Sequence, residues 1–182
     1  MTELAAVVGV PTAALTDLIA SLAARRLTVA TAESVTGGLL AAVLTEIPGS
    51  SAVVRGGLVV YATELKHQLA DVDADLLAAL GPVDPQVAAA LADGARRRCG
   101  ASIGIGLTGV AGPDPQDGVR VGTWFCAVSG PGEHRADRHG SPQTNTESDL
   151  NATSDAVRRG RIRAAAVRGA LDMLTNIAAT HS

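Results

Sequence analysis

Aromatic residues are nearly missing from this chain, with one Trp, one Tyr and one Phe in 182 residues. Its core must therefore be built from Ala, Val, Leu and Ile. Basic tracts with interleaved aromatics, the footprint of a nucleic-acid surface, are also missing. A net charge of -3 adds no general attraction to polyanions, and "RRGRIR" (158–163) is the one basic cluster. Cysteine occurs twice, at Cys99 and Cys126, neither at metal-ligand spacing from another Cys or His, so both are expected to be small buried residues in a reducing compartment. No apolar run is long enough to span a bilayer, and "MTELAAVVGVP" lacks a basic leader. These absences predict a cytoplasmic protein with no membrane or nucleic-acid partner and no metal or cofactor.

Lysine is the most informative scarcity. Of the 15 Lys and Arg residues only Lys66 is lysine. A solvated charge tolerates arginine, and this Ala- and Arg-rich chain uses arginine at every other such place. What arginine cannot do is lose its proton, because its pKa lies above about 12, whereas a desolvated lysine can be drawn from about 10.4 towards neutrality. Lys66 is therefore a candidate general base or compact point charge, with the single tyrosine, Tyr61, five residues before it.

What is present alternates between strand-like and helix-like segments. Helical periodicity runs over 12–25, 37–47, 63–70, 73–80, 85–99 and 154–179. Strands are expected at 27–34, at 52–62 with a bend at Gly56-Gly57, at 101–109 and at 121–129. This order predicts one α/β domain: a three-layer α/β/α sandwich around a mostly parallel or mixed sheet. The stretch 129–155 is polar, rich in Gly, Pro, Ser, Thr and Asn, and is expected to be a mobile loop.

In such sheets sites gather at the carboxyl ends of strands. Three ends carry suggestive residues: "AESVTGG" (32–38), "YATELK" (61–66) and "LTGVAGP" (107–113). Ser34 stands on a strand-to-helix turn, where a serine is commonly only a helix cap. A serine becomes a nucleophile when a base takes its proton, and Ser-Lys pairs are one recognised arrangement. His67, His134, His139 and His181 are weaker candidates, and Glu33, Glu64, Asp114 and Asp117 form no paired-carboxylate motif.

Taken together, "TAESVTGGLLAAVLTEIPGSSAVVRGGLVVYATELK", "GARRRCGASIGIGLTGVAGP" and "VGTWFCAV" resemble the C-terminal domain of the competence/damage-inducible protein CinA, whose standalone versions are nicotinamide-nucleotide amidohydrolases. The similarity spans roughly 12–130 and resumes in the last helix. It implies hydrolysis of the carboxamide of nicotinamide mononucleotide to nicotinic acid mononucleotide and ammonia, in a homo-oligomer. Ser34 would be the nucleophile, with Lys66 and Tyr61 activating it and moving its proton. Thr108, with amides of the Thr36–Gly38 turn or Gly109, would stabilise the oxyanion or position the amide. Glu33, Thr36, Gly37, Gly38 and Gly109 would lie against substrate, and one of Arg159, Arg161 or Arg163 would take its phosphate, since a guanidinium grips phosphate oxygens bidentately.

The chain departs from the family pattern at five positions. Val35 replaces a usual Cys, Ala62 and Thr63 replace common Ser and Asn, and Val157-Arg158 stands where Gly-Asp opens the final helix. The last change motivates a second reading, a nucleotide-binding or regulatory module of the same fold without activity. A third is an amidase for another small carboxamide.

Overall fold

In a computed structural model the protein is described over residues 2–130, 137–140 and 154–180. The chain runs α1 (Glu3–Val8), α2 (Thr12–Ala24), β1 (Val29–Glu33), α3 (Leu39–Thr45), β2 (Val54–Val59), α4 (Thr63–Ala70), α5 (Ala74–Leu80), α6 (Pro85–Cys99), β3 (Ile103–Gly109), β4 (Trp124–Ser129), β5 (Asp137–Gly140) and α7 (Asp155–Thr180). The strands form one mixed sheet in the order β2-β1-β3-β4-β5. β2, β1 and β3 are mutually parallel, and β4 and β5 continue antiparallel. Three parallel strands side by side bring three carboxyl ends to one edge, which is where the candidate residues fall.

The two faces of the sheet are built differently. On one face Val29 of β1, Ile103, Ile105 and Leu107 of β3, and Cys126 and Val128 of β4 join the apolar sides of α1, α2, α3 and α7. On the other, Ala30, Ala32, Gly104 and Gly106 leave almost no side chain, and α6 lies directly on the strands. A Cβ on Gly104 would come 2.0 Å from the Ala92 carbonyl oxygen, and one on Gly106 2.1 Å from that of Ala88. Backbone cannot retreat as a side-chain tip can, so a methyl group at either place would push the helix off the sheet, at a cost of about 1–3 kcal/mol or more. α6 starts sharply because the Asp84 carboxylate accepts from the Gln86 amide at 2.7 Å and Pro85 occupies the first turn.

The elements differ from the sequence reading in a few places. The bend in β2 is a one-residue register shift: Val29 pairs with Val54 and Ala30 with Gly56, leaving Arg55 extra. Helix α1 was not expected; the Glu46 carboxylate holds its start, accepting from the Thr2 hydroxyl at 2.6 Å and the Leu4 and Ala5 amides. Those bonds hold the carboxyl of Glu46 below its ordinary pKa, the Thr2 bond most of all. The stretch 129–155 is not all loop. Asp137–Gly140 pairs with Trp124–Ala127 as the edge strand of the sheet among the described residues. The remainder of the expected loop, 131–136 and 141–153, lies outside the described residues, as do His134 and His181.

Cys126 is buried in β4 and Cys99 is half-buried at the end of α6, without a disulfide between them. Among the described residues no helix is long and apolar enough to cross a membrane, and no group of three or more His, Cys, Asp and Glu side chains could hold a metal ion.

Candidate active site

The carboxyl end of β1 is tied to both neighbours. The Ser34 amide donates to the Leu107 carbonyl on β3 at 2.9 Å, and the Glu33 carbonyl accepts from the Val60 amide beyond β2 at 2.9 Å. Ser34 is thus fixed by the sheet, and so is the turn from which α4 departs. Lys66 sits in the first turns of α4, and helical side chains lean back towards the helix N-terminus. That lean carries its amine over the 60–61 backbone to the end of β1.

Nζ of Lys66 lies 3.1 Å from Ser34 Oγ, 3.0 Å from the Val60 carbonyl oxygen and 3.4 Å from that of Tyr61. Lys66 is 1% exposed and Ser34 7%. Burial pulls the Lys66 pKa down from 10.5 to about 8, against the Glu64 carboxylate, which pulls it back up. A neutral amine has two hydrogens and one lone pair. In the structure the amine donates to Ser34 Oγ and to both carbonyls. Once deprotonated, with its two hydrogens on the carbonyls, it would turn its lone pair to the Ser34 hydroxyl, a change of charge open to lysine and closed to arginine.

Ser34 and Lys66 stand at the floor of a cleft of about 350 Å³, within the range of small-molecule sites. Tyr61, Thr108, Gly109 and Arg159 line it too. Thr108 is fully buried, and its hydroxyl donates to the Pro82 carbonyl at 2.6 Å. Its proton is therefore spent, and its oxygen is an acceptor. Arg159 bridges the mouth, donating to the Gly112 carbonyl and standing 3.5 Å from the Tyr61 hydroxyl. The Tyr61 side chain is exposed; it is its carbonyl, not its phenol, that touches Lys66.

Other residues expected at substrate lie outside the cleft lining. The buried Glu33 carboxylate turns away to accept from the Thr31 hydroxyl at 3.0 Å and from the Leu40 and Ala41 amides at 3.0 and 2.8 Å. It closes the start of α3 and is buried away from the cleft. Thr36, Gly37 and Gly38 form the turn behind Ser34, the two glycines at φ of 59° and 89°. The Gly37 amide is used by the Ser34 carbonyl at 3.1 Å. Among the described residues the amides of Val35 and Thr36 have no acceptor. Arg163 reaches the Thr36 carbonyl with Nη2 at 2.7 Å and Nε at 3.3 Å. His67 is occupied by the Val72 carbonyl at 2.8 Å, and Asp117 and Glu64 are not in the lining. Sequence reasoning missed Gln116 and the Pro82 and Gly112 carbonyls. Backbone acceptors leave no sequence signal, and Gln116 gave only its place beyond "AGPD" near the candidate Asp114, which does line the mouth.

The sequence model of the CinA C-terminal domain matches residues 12–178. The chain belongs to the CinA C-terminal domain family. A CinA-like protein of Frankia casuarinae is 46% identical over 158 residues, 87% of this chain and 33% of that protein. A putative competence-damage inducible protein of Moorella thermoacetica is 56% identical over 94 residues, 52% of this chain and 23% of that protein. This CinA domain thus spans about a third or less of the length of these relatives. Among solved structures, the competence/damage inducible protein CihA from Agrobacterium tumefaciens superposes with a TM-score of 0.80 at 34% identity, covering 91% of this chain and 94% of its own. The competence damage-inducible protein A (ComA) from Klebsiella pneumoniae gives 0.78 at 30% identity, covering 94% and 99%.

Proposed function

We propose that this CinA domain is an amidohydrolase that removes the carboxamide nitrogen of nicotinamide mononucleotide through an acyl-enzyme on Ser34, with Lys66 as the base. The observation that carries the reading is the buried Ser34–Lys66 pair at 3.1 Å, with burial bringing the amine to a pKa of about 8.

In this mechanism Lys66 takes the Ser34 proton as Oγ bonds to the amide carbon. The carbonyl electron pair moves onto oxygen, towards the amide of Val35, which lines the cleft. Thr108 accepts from the substrate's amide N–H, which holds the leaving nitrogen in place. Lys66, now ammonium, returns its proton to that nitrogen, the C–N bond breaks and ammonia leaves. Water then attacks the ester with Lys66 again as base, freeing the acid and restoring Ser34. Arg159 at the mouth is the phosphate contact, exchanging its Gly112 and Tyr61 partners for phosphate oxygens.

The test is ammonia release from nicotinamide mononucleotide by the purified protein, with product identity checked by mass. Because the base must start neutral, kcat/KM should rise with pH and level off above about 8. Nucleotide binding without ammonia at any pH would make the protein a binding module. Release from other small carboxamides alone would move the substrate and keep the chemistry.

A further inference from the structure

The final helix carries two arginines one turn apart, Arg159 and Arg163, and only Arg159 lines the cleft. Residues four apart share a helix face, so both leave the same side of α7 and divide by depth. Arg163 places two nitrogens on a single oxygen, the Thr36 carbonyl, in a charge-assisted fork.

Thr36 is the middle of the turn that follows Ser34. Within that turn only two backbone bonds close, Gly37 to Ser34 at 3.1 Å and Leu39 to Thr36 at 3.3 Å. Gly37 and Gly38 are the residue type with the most backbone freedom to lose. The Thr36 hydroxyl is buried without a partner and lends the turn no support. Glu33 fixes the far end, where α3 begins, through the Leu40 and Ala41 amides. The middle is held from outside, and the group that holds it is Arg163.

We propose that Arg163 is a positioning residue: by gripping the Thr36 carbonyl it fixes the turn that presents Ser34 and the Val35 amide, and it does not bind the substrate's anion. The proposal rests on the reading of Ser34 as nucleophile. It divides labour along α7, with Arg159 on the ligand and Arg163 on the protein's own backbone.

The experiment compares Arg163→Met, Arg163→Lys and Arg159→Met with the parent. The first readout is the rate at which a small fluorophosphonate labels Ser34, with Ser34→Ala as the blank. This reports the turn without any phosphate-bearing nucleotide. The second is kcat and KM for nicotinamide mononucleotide and for nicotinamide riboside, which lacks the phosphate. Arg163→Met should slow labelling and kcat together by about 10- to 100-fold, the loss expected for a bond to a charged group. Its KM should stay within about twofold, and its preference for the nucleotide over the riboside should be unchanged. Arg163→Lys should recover part of the labelling rate, since an ammonium can replace one of the two donors. Arg159→Met should lose the preference for the phosphorylated compound.

Labelling of Arg163→Met at the parental rate overturns the proposal, as does a raised KM with loss of the phosphate preference. If Arg163→Met does not fold, Arg163→Lys decides, with a labelling rate reduced about 3- to 10-fold expected and an unchanged rate overturning. A parent that is labelled at Ser34 but releases no ammonia removes the amidase reading alone, and the labelling rates still decide Arg163. A parent not labelled at all removes both.

Discussion

The floor and the mouth of the cleft are made from different materials. At the floor, Ser34, Lys66 and Thr108 are buried, and each is held by sheet backbone or by carbonyls at strand ends. At the mouth, Tyr61 and Asp114 are exposed and Arg159 is half-buried, resting on a loop carbonyl and a phenol. Most departures from the family pattern follow the same division. Ala62, Thr63, Val157 and Arg158 are on or beside the mouth, and the one departure at the floor is Val35, buried next to Ser34, where the serine, lysine and threonine are all present. On the proposed reading, the groups that would carry the reaction are held by the sheet, and those that would recognise the substrate are side chains at the cleft mouth.

The comparison breaks most sharply at the floor. Ser34→Ala and Lys66→Arg should each lower ammonia release by about 10⁴-fold or more, measured by steady-state kinetics, because nucleophile and base act as one unit. Activity surviving in Lys66→Arg would make the lysine a positioning charge and erase the distinction.

Stability should move the opposite way. The amine's folded pKa, about 8, lies below its unfolded value. Below pH 8 the fold therefore carries a buried charge that the unfolded chain hydrates. Between about 8 and 10.5 the unfolded chain holds a proton that the fold has released, so parental stability rises with pH across that window. Lys66→Met should be more stable than the parent by about 3 kcal/mol at pH 7, with the gain shrinking as pH climbs towards 10.5. Urea titrations at several pH values measure this, and a pH-independent difference would contradict it.

The mouth should yield smaller, binding-type effects. Arg159→Met should raise KM for the nucleotide about tenfold with kcat little changed, as for one lost charge-assisted contact. The smallest effect is expected from Tyr61→Phe. Its hydroxyl faces Arg159 at 3.5 Å and makes no bond to Ser34 or Lys66, so a loss within about fivefold, mainly in KM, is expected. A large fall in kcat would transfer the phenol to the floor.

Much of this division was legible in the sequence. Alternating periodicities located β1 to β4 and the helices α2 to α7, and the carboxyl ends of the strands pointed to Ser34 and Thr108. Lys66 stood out because everything around it had been written in arginine. What could not be read were features that depend on distant backbone. Glu33 resembled a cleft carboxylate, but the amides it accepts belong to a helix whose direction only the fold sets. Arg159 and Arg163 were interchangeable in "RRGRIR", since spacing gives a shared face but not which residue sits deeper. β5 was invisible because an edge strand of polar residues has no alternation to detect. The α6 face hid for the same reason in reverse, its pattern being the lack of side chains at Gly104 and Gly106.

The poverty of aromatics has an optical consequence. Trp124, the only indole, is buried at the start of β4, where a Cβ on Gly169 of α7 would come 2.5 Å from its ring. The helix that brings Arg159 and Arg163 to the site therefore rests directly on the molecule's single strong fluorophore. Any lifting of that helix would admit water to the ring and shift its emission to the red, with no second tryptophan to blur the signal. The protein carries its own lamp, placed on the joint between its sheet and the helix that completes the cleft.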